Sequence, residues 1–236
     1  EELETAIKQA KNKILDLAIH GKLVPQDPND EPAEELLKRI ATSDNRPYKK
    51  FDDEVLFEIP NSWAWSSMKN IVTINPKNEI DDDTQVSFIP MTLIDSEYKN
   101  THGQEERLWK DIKKGFTHFA ENDVAIAKIS PCFENRKSVI LRNLKNGYGA
   151  GTTELYILRP SKVVIPEYIL WLVKSDNFIN TGVGNFSGVV GQQRLARDIV
   201  EDFSVPLPPL AEQRRIVTKI ENLFNQLDSI QNELIS

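Results

Sequence analysis

The chain has 236 residues, 39% apolar and 28% charged side chains and a formal net charge of -7, a composition that leaves room for one sizeable core. Its single cysteine, Cys132, excludes a disulfide framework and a cysteine-built zinc site, and His20, His102 and His118 lie too far apart for metal-ligand spacing. No apolar run approaches the roughly 20 residues of a membrane span, and the acidic start Glu1-Glu2-Leu3-Glu4 is no signal peptide, so a cytoplasmic protein without membrane contact is expected.

Residues 1–20 read as a helix. Leu3, Ala10 and Leu17 repeat every seven residues and Ile7 and Ile14 fall between them, a two-position heptad seam. Gly21 suits a left-handed helix cap and Pro25 blocks resumption. Asp30, as a cap, and Pro32, in a tolerant first turn, restart a short helix through Ile40. After a polar break from Thr42 to Pro47 come strand-like runs at Val55–Ile59, Ile71–Ile74, Val86–Met91, Val124–Ile129, Val139–Leu141 and Leu155–Leu158. Pro166–Ile179 has helical spacing of Ile169, Leu172, Val173 and Phe178. A glycine-rich loop, Gly182–Gly191, leads to a short helix at Gln192–Ile199 and an extended Phe203–Leu207. From Pro209 onward a second heptad helix carries Ile220, Leu227 and Leu234 at one position and Ile216, Leu223 and Ile230 at the other. At about 27 residues it spans about 40 Å.

Each terminal helix needs an apolar partner. One enters the body and the other leaves it, so an antiparallel coiled coil within the chain is the economical arrangement, with pairing between two chains as the alternative. The expected fold is therefore α+β, a mixed α/β body on a coiled-coil spacer. Residues 1–45 form the first spacer helix and connector, 46–208 the body, and 209–236 the second spacer helix.

Enzymatic patterns are missing where they would be expected. Asn75-Pro76-Lys77-Asn78 lacks the second proline and aromatic ring of an amino-methyltransferase motif, and reads as a turn. The glycines of Gly147-Tyr148-Gly149-Ala150-Gly151 have the wrong spacing for a nucleotide loop, and no lysine follows them. Asp123 to Lys128 has Ile126 where a nuclease strand would carry its second acid. Cys132 has no nearby histidine to make it a nucleophile. No metal or other cofactor is expected. Acidic net charge speaks against nucleic acid, yet from Arg107 to Lys145 nine Lys/Arg stand against four Asp/Glu, an excess able to attract phosphate.

Two edge segments carry a family resemblance: Ala10-Lys11-Asn12-Lys13-Ile14-Leu15-Asp16-Leu17-Ala18-Ile19-His20-Gly21-Lys22-Leu23-Val24-Pro25-Gln26 and Leu207-Pro208-Pro209-Leu210-Ala211-Glu212-Gln213-Arg214-Arg215-Ile216-Val217. They resemble the spacer segments of the specificity subunit of type I DNA restriction-modification enzymes. Within the body, Phe119–Ser138, Gly149-Ala150-Gly151-Thr152-Thr153-Glu154-Leu155 and Gly188-Val189-Val190-Gly191-Gln192-Gln193-Arg194-Leu195 are similar to pieces of that family's target recognition domain. The resemblance implies a non-catalytic reader of double-stranded DNA. Catalysis, with S-adenosylmethionine, ATP and magnesium, would belong to separate modification and restriction subunits docked on the helices. Joining residue 236 to residue 1 continues the heptads with a one-position slip, which fits one half of a subunit built as helix, reader, helix, reader, helix. A half-length subunit that dimerises fits equally, and the missing initial methionine agrees either with a removed tag or with a fragment of something longer.

Residue chemistry then selects candidates. Lys128, Arg136 and Lys137 can neutralise phosphates, which positions without selecting sequence. Gln192 and Gln193 suit the N6/N7 edge of adenine and Arg194 the O6/N7 edge of guanine, while Ser130, Thr152 and Thr153 can bond phosphate or base. Arg194 has a plainer alternative, an ion pair with Asp198 one helical turn away. Ile7, Ile14, Leu17, Ile220, Leu223, Leu227, Ile230 and Leu234 are expected at the coiled-coil and subunit interface. Trp63, Trp65 and Trp171 read as core. The rival from another class is a coiled-coil adaptor that binds protein alone, which the acidic charge favours.

Overall fold

Helix α1 (Glu2–Ile19) ends at a glycine cap. Gly21 sits at φ +67°, its amide donates to Ala18 O at 3.2 Å, and the Lys22 amide donates to Leu17 O at 2.9 Å. A Cβ at Gly21 would lie 2.4 Å from Pro60, so the cap and the close approach both require glycine. The computed structural model describes residues 2–43, 51, 56–189 and 193–235, apart from the side chain of residue 235.

After α1 come α2 (Ala33–Ser43), β1 (Ala64–Ser67), α3 (Met68–Ile71), β2 (Val72–Ile74), β3 (Gln85–Ile89), β4 (Glu105–Leu108), α4 (Trp109–Ile112) and β5 (Thr117–Ala120). They are followed by β6 (Val124–Ala127), β7 (Ser138–Ile140), β8 (Tyr148–Gly151), β9 (Leu155–Pro160), α5 (Pro166–Val173) and α6 (Asp176–Gly184). The chain closes with β10 (Phe186–Ser187), β11 (Arg194–Leu195), α7 (Arg197–Glu201), β12 (Ser204–Leu207) and α8 (Leu210–Ile235). This is a mixed α/β architecture.

One sheet has the order β2-β9-β6-β7 and is antiparallel throughout. A second has the order β4-β3-β8-β5, with β3 and β8 parallel. The first sheet is covered on both faces, which explains why its strands read as continuous apolar runs. Val124, Ile126, Tyr156 and Leu158 pack with the helices, including Ile169, Leu170 and Val173 of α5. Ala125, Leu155 and Ile157, pointing the other way by the period-two rule, pack against Ile89 and Phe119 of the second sheet. A Cβ on Gly149 of β8 would fall 2.3 Å from both Phe119 and Ser87 O, so this glycine is a packing requirement in a strand. β1 and β12 form a separate antiparallel ribbon, Ala64 opposite Leu207, just before α8 begins.

Several sequence expectations shift. Residues 56–59 form no strand, and Val55 lies outside the described residues. β3 stops at Ile89 because Pro90 leads a 3-10 turn, Met91–Leu93. The helix expected over 166–179 breaks at Lys174–Ser175, where the Ser175 hydroxyl caps α6 by accepting from the Phe178 amide. Gly182 and Gly184 belong to α6 rather than a loop. Arg194 and Leu195 are strand, and the short helix is Arg197–Glu201, with Gln192 outside the described residues. Asp30 does not cap α2, because its carboxylate accepts from Arg215 at 3.1 and 2.5 Å.

The buried stripes of the terminal helices differ from the heptad seams. In α1 the buried residues are Ile7, Lys11, Leu15, Ala18 and Ile19, with Ile14 and Leu17 half-buried. In α8 Ile216, Val217, Ile220 and Phe224 are buried, Leu223 and Leu227 half-buried, and Ile230 and Leu234 exposed. The steps of three and four follow the 3.6-residue period of a straight helix lying on a globular surface. That surface is supplied by Trp63, Tyr98, Tyr168 and Trp171. The helices also touch each other, with Lys11 Nζ 2.5 Å from Asp228. α2 packs Ala33, Leu37 and Ile40 into the main core.

Candidate nucleic-acid interface

Three segments distant in sequence meet at the end of the first sheet. Beyond β6 the Lys128 amide donates to Glu154 O at 2.9 Å, and Lys128 O accepts from the Leu195 amide at 2.8 Å. Ile129 bridges Arg194, and the Ser130 amide donates to Gln193 O at 2.9 Å. Backbone bonding thus brings Lys128, Ser130, Thr152, Thr153, Gln193 and Arg194 onto one rim. Lys128 lies with its ammonium 5.1 Å from the Tyr156 ring centroid. The Ser130 hydroxyl donates to Glu134 at 2.5 Å, Thr152 Oγ1 accepts from the Glu154 amide, and Thr153 is exposed.

Arg194 does not pair with Asp198. Its Nε and Nη2 donate to the two carboxylate oxygens of Glu154 at 3.0 and 2.8 Å. Asp198 lies on α7, and the turn between the strand and that helix removes the assumed helical spacing. The hydrogen bond from Arg194 holds the Glu154 carboxyl below its ordinary range against a modest burial effect, and the nearby Lys128 charge works in the same direction. Glu154 in turn pushes the Arg194 guanidinium up. Nothing local in the sequence linked these residues, which stand 40 positions apart.

The structure moves Arg136 out of the candidate set. Its side chain is only 9% exposed. Nε donates to Lys174 O at 2.9 Å, Nη2 pairs with Asp176, and the guanidinium lies 5.4 Å from the Tyr98 ring centroid. A guanidinium so engaged is a tie between the body, α6 and Asn12 of α1, and has no free fork for phosphate. Lys174 beside it is fully buried, donating to Glu97 O at 2.6 Å and Arg136 O at 2.9 Å. Burial above all, then the Arg136 charge, drives its ammonium down to about 7. Lys137 lies beside the rim, where its carbonyl accepts from the Ala127 amide at 2.9 Å, and its ammonium donates to Met91 O at 3.1 Å.

The local basic excess is also answered within the fold. Six of the nine cations from Arg107 to Lys145 meet carboxylates: Arg107 with Glu105, Lys110 with Asp83, Lys113 with Asp82, Arg136 with Asp176, Arg142 with Glu167 and Lys145 with Glu106. The acidic run Asp81–Asp83 folds back onto α4, which linear charge counting does not register.

The motif residues at the edges have structural work. Gln26 Nε2 donates to Glu212 at 2.6 Å, and Asp30 accepts from Arg215, so the connector after α1 is tied to the start of α8. Gln213 accepts from the Ile165 amide at 3.1 Å and donates to Pro208 O at 3.0 Å. Burial pushes the Glu212 carboxyl up. Trp63 and Trp171 are buried and Trp65 half-buried. Asp123 is buried and accepts twice from Arg159 at 2.8 Å, a structural pair. Asn75 turns the chain at φ +50°. Among the described residues no group of three His, Cys, Asp or Glu could hold a metal ion, and no helix is long and apolar enough to cross a membrane.

A mixed α/β body bracketed by helices from both ends, with polar and cationic side chains gathered on one rim, has the make-up of a recognition module. The chain belongs to the type I restriction modification DNA specificity domain family, whose model matches residues 60–236. It is 45% identical to the type I restriction enzyme EcoAI specificity subunit and 44% identical to the EcoEI specificity subunit, both of Escherichia coli, over 98% of its length. It spans 41% of the length of each. In fold it is similar to the crystal structure of the HsdS subunit from Thermoanaerobacter tengcongensis, with TM-score 0.55 and 14% identity, over 98% of this chain and 51% of that one.

Proposed function

We propose that the chain is the recognition unit of a type I specificity subunit, which reads one half of a bipartite target in double-stranded DNA. The observation that carries this is the convergence of Lys128, Ser130, Thr152, Thr153, Gln193 and Arg194 on one rim in a member of a DNA specificity family. Gln192 lies outside the described residues and is proposed as a base-reading side chain on its residue chemistry alone. Lys128 neutralises phosphate, and the planar Gln and Arg groups select bases. The reader is residues 46–208. The segments 1–45 and 209–236, whose helices α1 and α8 lie against each other and on the body, form an antiparallel spacer that sets its distance from a second reader, in the same longer polypeptide or in a second copy. A 40 Å helix corresponds to roughly 12 base pairs, which suits two short half-sites separated by unread DNA.

Ile7 and Ile220 are already buried within this chain, whereas Ile230 and Leu234 are exposed large apolar side chains. Together with the half-buried Ile14, Leu17, Leu223 and Leu227 they are the surface offered to modification subunits and, through them, the restriction subunit. The chain itself supplies no cofactor chemistry, and the complex works in the cytoplasm. The test is duplex binding between about 50 and 200 mM salt, where each neutralised phosphate adds roughly 0.9 to the log–log slope. A slope of about -1 or steeper is the expected result, since Lys128 neutralises at least one phosphate. An adaptor that binds only protein gives no salt-dependent shift, and that result rejects the reading.

A further inference from the structure

The geometry points to Glu154 as a positioning residue that presents Arg194 to a guanine in the DNA major groove. This rests on the proposed reading of the chain as a DNA recognition unit. Glu154 engages the side edge of the guanidinium, through Nε and one Nη2 hydrogen. Among the described residues nothing bonds Arg194 Nη1, so the end-on edge formed by Nη1 and the second Nη2 hydrogen is left as a two-pronged donor. The Arg194 side chain is 49% exposed and Glu154 26%, which places the anchor on the protein side and the open edge toward solvent. Both backbones are fixed, Arg194 by its bridge to Ile129 and pairing with Ser187, and Glu154 by the Lys128 amide. The rotamer freedom of a long side chain is therefore surrendered before DNA arrives.

Guanine is favoured over phosphate for an electrostatic reason. Pairing with Glu154 cancels the net charge of Arg194, which weakens its attraction for a phosphate monoanion, and the carboxylate itself repels one. The directional fork is unaffected, and the O6/N7 edge of guanine accepts two parallel donors from it. Phosphate attraction at this rim falls instead to Lys128, whose ammonium has no carboxylate hydrogen bond among the described residues.

The experiment selects sequences from a randomised duplex library with the specificity polypeptide assembled with its modification subunits. Wild type is expected to choose a bipartite motif with one guanine in one half read by Arg194. Arg194→Lys keeps the charge but loses the fork, and should flatten that position alone by about ten- to hundredfold. Glu154→Ala should flatten the same position while thermal stability stays unchanged, and Glu154→Gln, which keeps an acceptor oxygen, should restore part of the preference. A Glu154→Ala motif identical to wild type, or an Arg194→Lys variant weakened evenly at all positions as a phosphate contact would be, overturns the inference and leaves DNA reading intact. A wild-type complex that selects no motif overturns DNA reading itself, and the positioning role with it.

Discussion

Replacing Arg136 by methionine separates a buried tie from a phosphate contact, because the two predict opposite changes. The aliphatic stem is retained, so packing is largely kept. The Lys174 carbonyl loses its guanidinium donor, which costs about 1–3 kcal/mol for a buried acceptor left unpaired. Loss of the contact over Tyr98 adds up to about 2 kcal/mol at a desolvated site. The ion pair with Asp176 adds less than about 1 kcal/mol, since that carboxylate is half exposed and screened by solvent. Removing a like charge beside Lys174 returns part of this. The balance is a loss of about 3 kcal/mol, or about 10 °C in Tm for a chain of this size. Urea denaturation measures the stability, and duplex titration across salt measures the phosphate count. A large stability loss with an unchanged salt slope is expected. A stable variant whose slope falls by about one unit would refute the burial argument and return Arg136 to the DNA surface.

Lys174→Met isolates a titration. The Lys174 ammonium is driven down to about 7 in the folded protein against an ordinary value of 10.5, so between these limits the unfolded chain binds more protons and wild-type stability rises with pH. The climb is at most roughly 1.4 kcal/mol per pH unit between about pH 7 and 10. Relative to wild type, Lys174→Met should lack it, as read from denaturation at a series of pH values; parallel profiles would contradict the assignment. Leu227→Asp combined with Ile230→Asp should abolish co-purification of modification subunits with little change in the body's stability, because both side chains lie on the less buried end of α8. Unchanged co-purification would remove that helix end from the docking surface.

Much of the fold is legible in the sequence where burial is two-sided or periodic. β6 and β9 are sandwiched between helices and a second sheet, so every residue of their centres is apolar and the runs announce themselves. The Gly21 cap and the helices on either side of the body follow from local rules. β4 carries Glu105, Glu106 and Arg107 on a sheet edge, and β8 carries glycines demanded by Phe119 and Ser87, so neither looks like a strand in isolation. The break at Lys174–Ser175 hides because Lys174, a residue type usually outside, is buried to bond Glu97 O and Arg136 O. In the candidate site the residue types were readable but their partners were not. Arg136 finds Asp176, and Arg194 finds Glu154, only after the chain folds, and the pairing gives one a structural task and the other a preset orientation.

Hydrogen exchange of the chain with and without a duplex bearing its target half-site tests the central claim most directly. Protection is expected at 128–130, 152–156, 187–189 and 193–195, with α1 and the Arg136–Lys174 junction little changed. Protection confined to the terminal helices, with that rim exchanging as in the free protein, would contradict it.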